Sequence, residues 1–294
     1  MTPLPTPEDQ ATTALNEQGF LFAQAIRDKL QSTVASGNQQ KGKWIVLTQE
    51  YAVTASDGAQ TRIDLVLRRV AANGHYACVE CKRHNPRYRR WVFFDRNKGG
   101  GGLPADLHFE SFRSQGFFLQ DGLKASHAME RQNCGSVCPI FNLYLEVAAN
   151  SAGKRASYTD TMEDAFLQVT RGQSGFMAKQ VAFAKQSGGQ MPHRVMAIPV
   201  VVTTAQLSEA VFDTKHASLE LGTITSSNLK TAPLKFCAVS YHANDSIAVR
   251  SEFSIPCSSI DVDVLHCQTR TVFVVSSSAI VEFLEWLDLQ ITVP

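Results

Sequence analysis

Two apolar runs separated by a turn constrain this chain most: Arg62-Ile63-Asp64-Leu65-Val66-Leu67, then Asn73-Gly74, then Tyr76-Ala77-Cys78-Val79-Glu80-Cys81-Lys82. Strand-forming runs on either side of Asn-Gly predict a β-hairpin. Successive side chains of a strand point to opposite faces. Ile63, Leu65, Leu67, Ala77, Val79 and Cys81 then share a face that reads as core, and Asp64, Val66, Cys78, Glu80 and Lys82 share the other.

Register decides whether the charged residues meet. A two-residue Asn73-Gly74 turn sets Asp64 opposite Arg83, on the wrong face from Glu80 and Lys82. A three-residue loop, Ala72-Asn73-Gly74 with Gly74 left-handed, sets Asp64 opposite Lys82 and Val66 opposite Glu80. The second register keeps both apolar sets on one side and is the one expected. Asp64 and Glu80 then become diagonal neighbours roughly 7–8 Å apart. Two carboxylates so placed can share a divalent ion.

An acid on one strand and Glu-x-Lys on the next, after a helix, resembles the PD-(D/E)xK nuclease superfamily. Asp64 matches the first acid and Glu80-Cys81-Lys82 the (D/E)xK element, with Ile63 in place of the proline. The resemblance implies an α/β fold with a mixed sheet, a restriction-endonuclease-like αβββαβ core. It implies Mg²⁺-dependent hydrolysis of DNA phosphodiester bonds, with Mn²⁺ able to substitute. Asp64, Glu80 and the Cys81 backbone carbonyl would hold the ion in a hard-oxygen shell. Lys82 would orient the attacking water or stabilise the pentavalent transition state. A restriction or phage-defence role is also implied. Members of the superfamily often carry a metal-site glutamate on the first helix. Glu17 is the only glutamate in the helix expected there, but it lies opposite that helix's apolar stripe and reads equally as a solvated residue. Glu50, the acid nearest the site on the first strand, either joins the site or faces solvent.

Two other readings stand beside this one. A nuclease fold that has lost cleavage would bind nucleic acid or a partner protein. An unrelated fold would leave the hairpin charges incidental.

Charge distribution favours nucleic acid. Residues 82–98 hold seven Lys/Arg against one acid, and residues 205–294 hold five against ten. Arg83, Arg87, Arg89 and Arg90 suit phosphates, and Tyr88 and Trp91 suit base stacking. The plainer reading is a strand whose arginines face water while Trp91 and Phe93 pack inward. DNA is the expected partner. A homodimer is expected too, because cutting both strands is simplest with two sites related by a twofold axis.

The 294 residues, 44% hydrophobic and 19% charged, suit a soluble globular protein with a sizeable core. No apolar run approaches the roughly 20 residues of a membrane span, so no membrane partner is expected. Met1-Thr2-Pro3-Leu4-Pro5 is unlike a signal peptide, which points to the cytoplasm. Seven cysteines read as free thiols in a reducing compartment. Zinc on Cys78-x-x-Cys81 with Cys134 and Cys138 is disfavoured, since Cys78 and Cys81 point to opposite faces.

Residues 1–204 read as the nuclease-like core, with 83–160 inserted, and 205–294 as a strand-and-helix extension packed on it. A loose segment 1–13 precedes a helix from about Leu15 to Thr33 with Leu15, Gly19, Phe22, Ile26 and Leu30 as its stripe. Trp44 to Thr54 reads as a strand, turning at Ser56-Asp57-Gly58. A strand is expected near Ile140 to Val147. A long helix from Thr161, its cap, to about Ser187 turns Phe166, Val169, Phe176, Gln180 and Phe183 inward. Gly172 and Gly175 mark a break or close packing in it. Arg194 to Thr204 is a buried strand in which Pro199 signals an end, an edge or a bulge. Strands near Lys235–Tyr241, Ser246–Phe253 and Thr271–Val275 follow. A last helix after Ser278 buries Ile280, Phe283, Leu284 and Leu287. Lone His193, His216 and His266 read as packing or surface residues.

Overall fold

An apolar run as long as Val195-Met196-Ala197-Ile198-Pro199-Val200-Val201-Val202 is stable as a strand only if both its faces are covered. It forms β10 (Arg194–Thr203), which is covered on both sides. Met196, Ile198, Val200 and Val202 enter one core cluster, while Val195, Ala197 and Val201 enter the cores on the opposite face. The structure, a computed structural model, describes residues 6–17, 20–35, 44–55, 58–70, 74–84, 88–94, 107–113, 121–123, 138–141, 143–147, 157–158, 160–186, 194–212, 214–216, 218, 220–221, 223–242 and 269–290.

The class is mixed α/β. β1 (Trp44–Thr54), β2 (Gln60–Arg69) and β3 (His75–Lys82) form an antiparallel meander. β3 lies parallel to β10, and β10 parallel to β14 (Thr269–Ser276). β13 (Phe236–His242) pairs antiparallel with β14 and parallel with β7 (Ile140–Phe141). β5 (Leu107–Arg113) pairs with the start of β10 and with β6 (Asp121–Leu123). Helices α2 (Phe20–Ala35) and α4 (Ile280–Gln290) cover one face of this sheet. Helix α3 (Asp160–Gln186) crosses the other. The order from α2 to β10 includes helix, three-strand meander, helix and parallel strand.

Several expectations are corrected. Residues 7–17 are helical, not loose: α1 (Pro7–Glu17) precedes α2, so the single expected helix is two. Thr6 Oγ1 accepts the Asp9 N–H at 3.2 Å and Asp9 Oδ2 accepts the Thr6 N–H at 3.0 Å, a reciprocal cap with Pro7 in the first turn. Pro199 lies inside a central strand. The partners of β10 on β5 end at Ala197 and those on β14 begin at Val200, so the missing proline N–H falls where one neighbour gives way to another. Phe183 is 59% exposed instead of inward. Helix α3 begins before Thr161, and the Met162 N–H in its first turn donates to the buried Glu146 carboxylate at 2.8 Å. The strand expected at Ser246–Phe253 lies outside the described residues.

The glycines of α3 signify close packing, not a break. A Cβ on Gly172 would sit 2.8 Å from Ile63 Cγ1, and one on Gly175 equally close to the Thr54 carbonyl oxygen. The helix thereby rests directly on β2 and β1.

A second sheet runs β12 (Leu229–Leu234), β11 (Gln206–Phe212), β4 (Arg90–Phe94), β8 (Leu143–Val147), β9 (Ser157–Tyr158). β4 and β11 are parallel neighbours, just as β3 and β10 are. The two strands leave the first sheet side by side and enter the second side by side, through residues 83–89 and 204–205. The stretches read as an insertion and an extension thus build this sheet together. β13, β14 and α4 meanwhile complete the first.

Arg69 at the end of β2 and Asp288 in α4 form an ion pair, both side chains buried. Asp288→Ala leaves the guanidinium without its carboxylate, and the expected loss is about 3–5 kcal/mol in urea unfolding. Asp288→Asn, which keeps an acceptor, is expected to lose less.

Candidate functional site

The site lies on the face of β1, β2 and β3 that α3 crosses. The β2–β3 register pairs Leu65 with Val79, Val66 with Cys78 and Leu67 with Ala77. That places Asp64 opposite Glu80, not opposite Lys82. The cause is a turn longer than the three residues expected; Gly74 has the positive φ anticipated for it, 105°, while Ala72 and Asn73 lie outside the described residues. The correction moves the two carboxylates from a diagonal to a direct pair.

Alternation in β2 breaks at Asp64. Leu65 and Leu67 join the core beneath α2 and α4, as expected, but Ile63 packs with Val66 and Cys78 on the α3 side. The main-chain ladder ends where the break occurs. Beyond Leu65, the Cys81 N–H donates to Asp64 Oδ2 at 2.7 Å. In extended backbone a residue's N–H and C=O face the same edge, so the Cys81 carbonyl also faces β2.

Glu50 completes a row. Gln49 pairs with Leu65 and Tyr51 with Ile63, which sets Glu50 opposite Asp64. Glu50, Asp64 and Glu80 therefore occupy one line across three adjacent strands, which are spaced roughly 4.8 Å apart. Glu50 has φ 50°, a conformation a glutamate adopts only when its surroundings impose it. Its carboxylate faces Arg62 Nη1 at 3.7 Å.

Glu80 stands where the alternation would otherwise place core. It is 8% exposed, and its carboxylate makes no hydrogen bond among the described residues. Burial pushes its carboxyl up to about 8, and the neighbouring Asp64 and Glu50 add to the rise while Lys82 opposes it. Burial likewise raises Asp64 to about 6 against the Cys81 N–H, which favours the charged form. Lys82 Nζ donates to Gln168 Oε1 of α3 at 3.2 Å. Gln168 had no strong sequence signal, because its reach depends on where α3 crosses β3.

Other expected residues divide. Glu17 is the last residue of α1, and its side chain lies outside the described residues, as does Arg87. Arg83, Arg89 and Arg90 are exposed beyond the end of β3. Tyr88 and Trp91 are not available for stacking: they are 7% and 0% exposed, and Trp91 is packed with Phe93 and Phe166. Alternation along β4 turns the tryptophan inward, as the plainer reading had it. Cys78 and Cys81 enter opposite cores, and Cys134 lies outside the described residues.

No family model, curated protein or solved structure matches this chain. Among the described residues no helix is long and apolar enough to cross a membrane.

Raised carboxyls make the folded chain bind more protons than the unfolded chain, whose acids titrate near 4. Without a divalent ion, Asp64 and Glu80 therefore subtract stability as pH rises from about 4 through about 8. Glu80→Gln removes part of this penalty. In chelator, its urea midpoint is expected to lie closest to wild type at pH 4 and to exceed it at pH 8. Equal midpoints at both pH values would show that the burial of Glu80 carries no such penalty.

Proposed function

We propose that this protein is a Mg²⁺-dependent endonuclease of the PD-(D/E)xK kind that hydrolyses DNA phosphodiester bonds. One observation carries the reading: Asp64 and Glu80 sit directly opposite each other with Lys82 one alternate position on, and Glu80 is buried without a hydrogen-bond partner among the described residues. The helix, meander, helix and parallel strand around them support the restriction-endonuclease-like fold.

The donor set fits a hard divalent ion. Glu80 offers an uncommitted carboxylate, Asp64 keeps Oδ1 beside the Oδ2 that takes Cys81 N–H, and the Cys81 carbonyl faces the same edge. Asp64, Glu80 and the Cys81 carbonyl would hold Mg²⁺, or Mn²⁺ in its place. Glu50 lies in the same row but is exposed and faces Arg62, and no three acids among the described residues converge on one point. When bound, the ion stabilises charge on the phosphate and lowers the pKa of a bound water.

The protein's own groups do the rest. Lys82 brings the one ammonium in this row of acids, and Gln168 Oε1 takes one of its three donors, fixing its direction. The remaining donors would serve the attacking water or the phosphate oxygens, whose charge grows in the transition state. Arg83, Arg89 and Arg90, exposed beyond the end of β3, would hold neighbouring phosphates. A restriction or phage-defence role, and a homodimer that cuts both strands, extend the same reading.

The test is conversion of supercoiled plasmid in Mg²⁺ or Mn²⁺, with chelator as the blank. Wild type is expected to nick or linearise it. Asp64→Ala, Glu80→Ala and Lys82→Ala are each expected to abolish cleavage while leaving the far-ultraviolet circular dichroism unchanged. A folded wild type that binds DNA and leaves the plasmid intact in both metals would give the binding-only reading the advantage. Gln168→Leu is expected to lower kcat by about tenfold with little change in KM, the share of one hydrogen bond to a charged group.

A further inference from the structure

His84 lies where β3 leaves the first sheet, two residues past Lys82. Its backbone N–H donates to Thr204 Oγ1 at 3.0 Å, and its ring Nδ1 is 2.8 Å from the same oxygen. Thr204 begins the matching link from β10 to β11. This clasp therefore ties the two linkers together at the corner between the sheets.

One tautomer uses every group of the clasp. The Thr204 oxygen accepts the His84 amide hydrogen and gives its own hydroxyl hydrogen to Nδ1, which leaves the ring hydrogen on Nε2. Nε2 makes no hydrogen bond among the described residues, and the ring is half-buried. A corner clasp alone uses only the Nδ1 side of the imidazole. The other nitrogen belongs to a stretch of chain that also carries Lys82 and the exposed Arg83, Arg89 and Arg90. A ring N–H in so basic a stretch suits an anion.

We propose that His84 is a phosphate-contacting residue of this site, donating Nε2–H to the DNA backbone phosphate next to the one Lys82 faces. The proposal rests on the nucleic-acid reading above. Glu80, Lys82 and His84 occupy alternate positions, and two extended residues advance the chain roughly 6.6 Å, about one phosphate step along a strand. The ion-holding acids, the lysine and the histidine thus follow the scissile strand in sequence. The ring's two nitrogens divide the work, one joining the sheets and the other meeting the ligand.

Two amide substitutions separate these roles. His84→Asn puts an amide where Nδ1 stood and retains the clasp. His84→Gln puts its terminal N–H where Nε2 stood. The full chain is titrated with a short fluorescent DNA duplex in chelator at low salt, so binding is read without cleavage, and thermal melts are taken alongside. His84→Asn is expected to melt with wild type and to raise Kd about tenfold or more, the loss of one hydrogen bond to a charged group. His84→Gln is expected to bind with nearly wild-type Kd even where its melt is lower. Wild-type Kd in His84→Asn would overturn the proposal, as would losses of affinity that merely track losses of melting temperature. Preference for an RNA duplex of equal length would overturn the DNA assignment. A wild type that binds no duplex overturns the proposal together with the functional reading. A wild type that binds but never cuts in Mg²⁺ or Mn²⁺ overturns cleavage alone, and the His84 result still decides the phosphate contact.

Discussion

Coverage of β10 on both faces is the constraint from which the other arrangements follow. An apolar strand with no polar face needs a layer above and a layer below, and two strands beside it to satisfy its main chain. α2 and α4 supply one layer and α3, with the second sheet, the other. β3 is one of the flanking strands, and it inherits the same two-sided burial. Ala77, Val79 and Cys81 meet it on one face and Cys78 on the other. Glu80 and Lys82 are the charged residues of β3, and Lys82 meets α3 at Gln168.

Burying an acid there is expensive. A carboxylate withdrawn from water loses solvation that only a hydrogen bond, a cation or protonation can replace. Asp64 has one such compensation in the Cys81 N–H; Glu80 has Lys82 nearby but no hydrogen bond among the described residues. Glu50 adds a third acid from β1 on a backbone held at positive φ. Local strain and local electrostatic repulsion thus coincide on one line across three strands. Such coincidence is common where surroundings over-determine a geometry for chemistry. The remaining architecture holds the line rigid: Gly172 and Gly175 let α3 sit on β2 and β1, and Asp288 ties the end of β2 to α4.

The corner at His84 and Thr204 connects that line to the basic segment. Because β3 and β10 cross between sheets as a pair, the residues just past Lys82 cannot drift away from the site. Arg83 and Arg89 are exposed there, while Tyr88 and Trp91 turn back into the core. Aromatic and basic residues adjacent in sequence therefore end on different sides of the chain.

Much of the frame was legible from local pattern. The strand limits Trp44–Thr54, the inward residues of the last helix, the buried run through Val202 and the shared face of Asp64, Glu80 and Lys82 all follow from periods of two or 3.6, which depend on backbone geometry alone. What local pattern could not decide was distance. Whether Asp64 opposes Glu80 or Lys82 depends on turn length, and whether Gln168 meets Lys82 depends on where a helix crosses a sheet. Whether Ile63 faces inward with Leu65 or across with Val66 depends on a break in the ladder. Each is set by how layers pack and strands twist, a sum over many weak contacts from distant parts of the chain. The sequence by itself determined, through the two-residue period of a strand, that Asp64, Glu80 and Lys82 share a face; only the tertiary structure, through packing of layers far apart in the chain, decided which groups touch and that Ile63 joins that face.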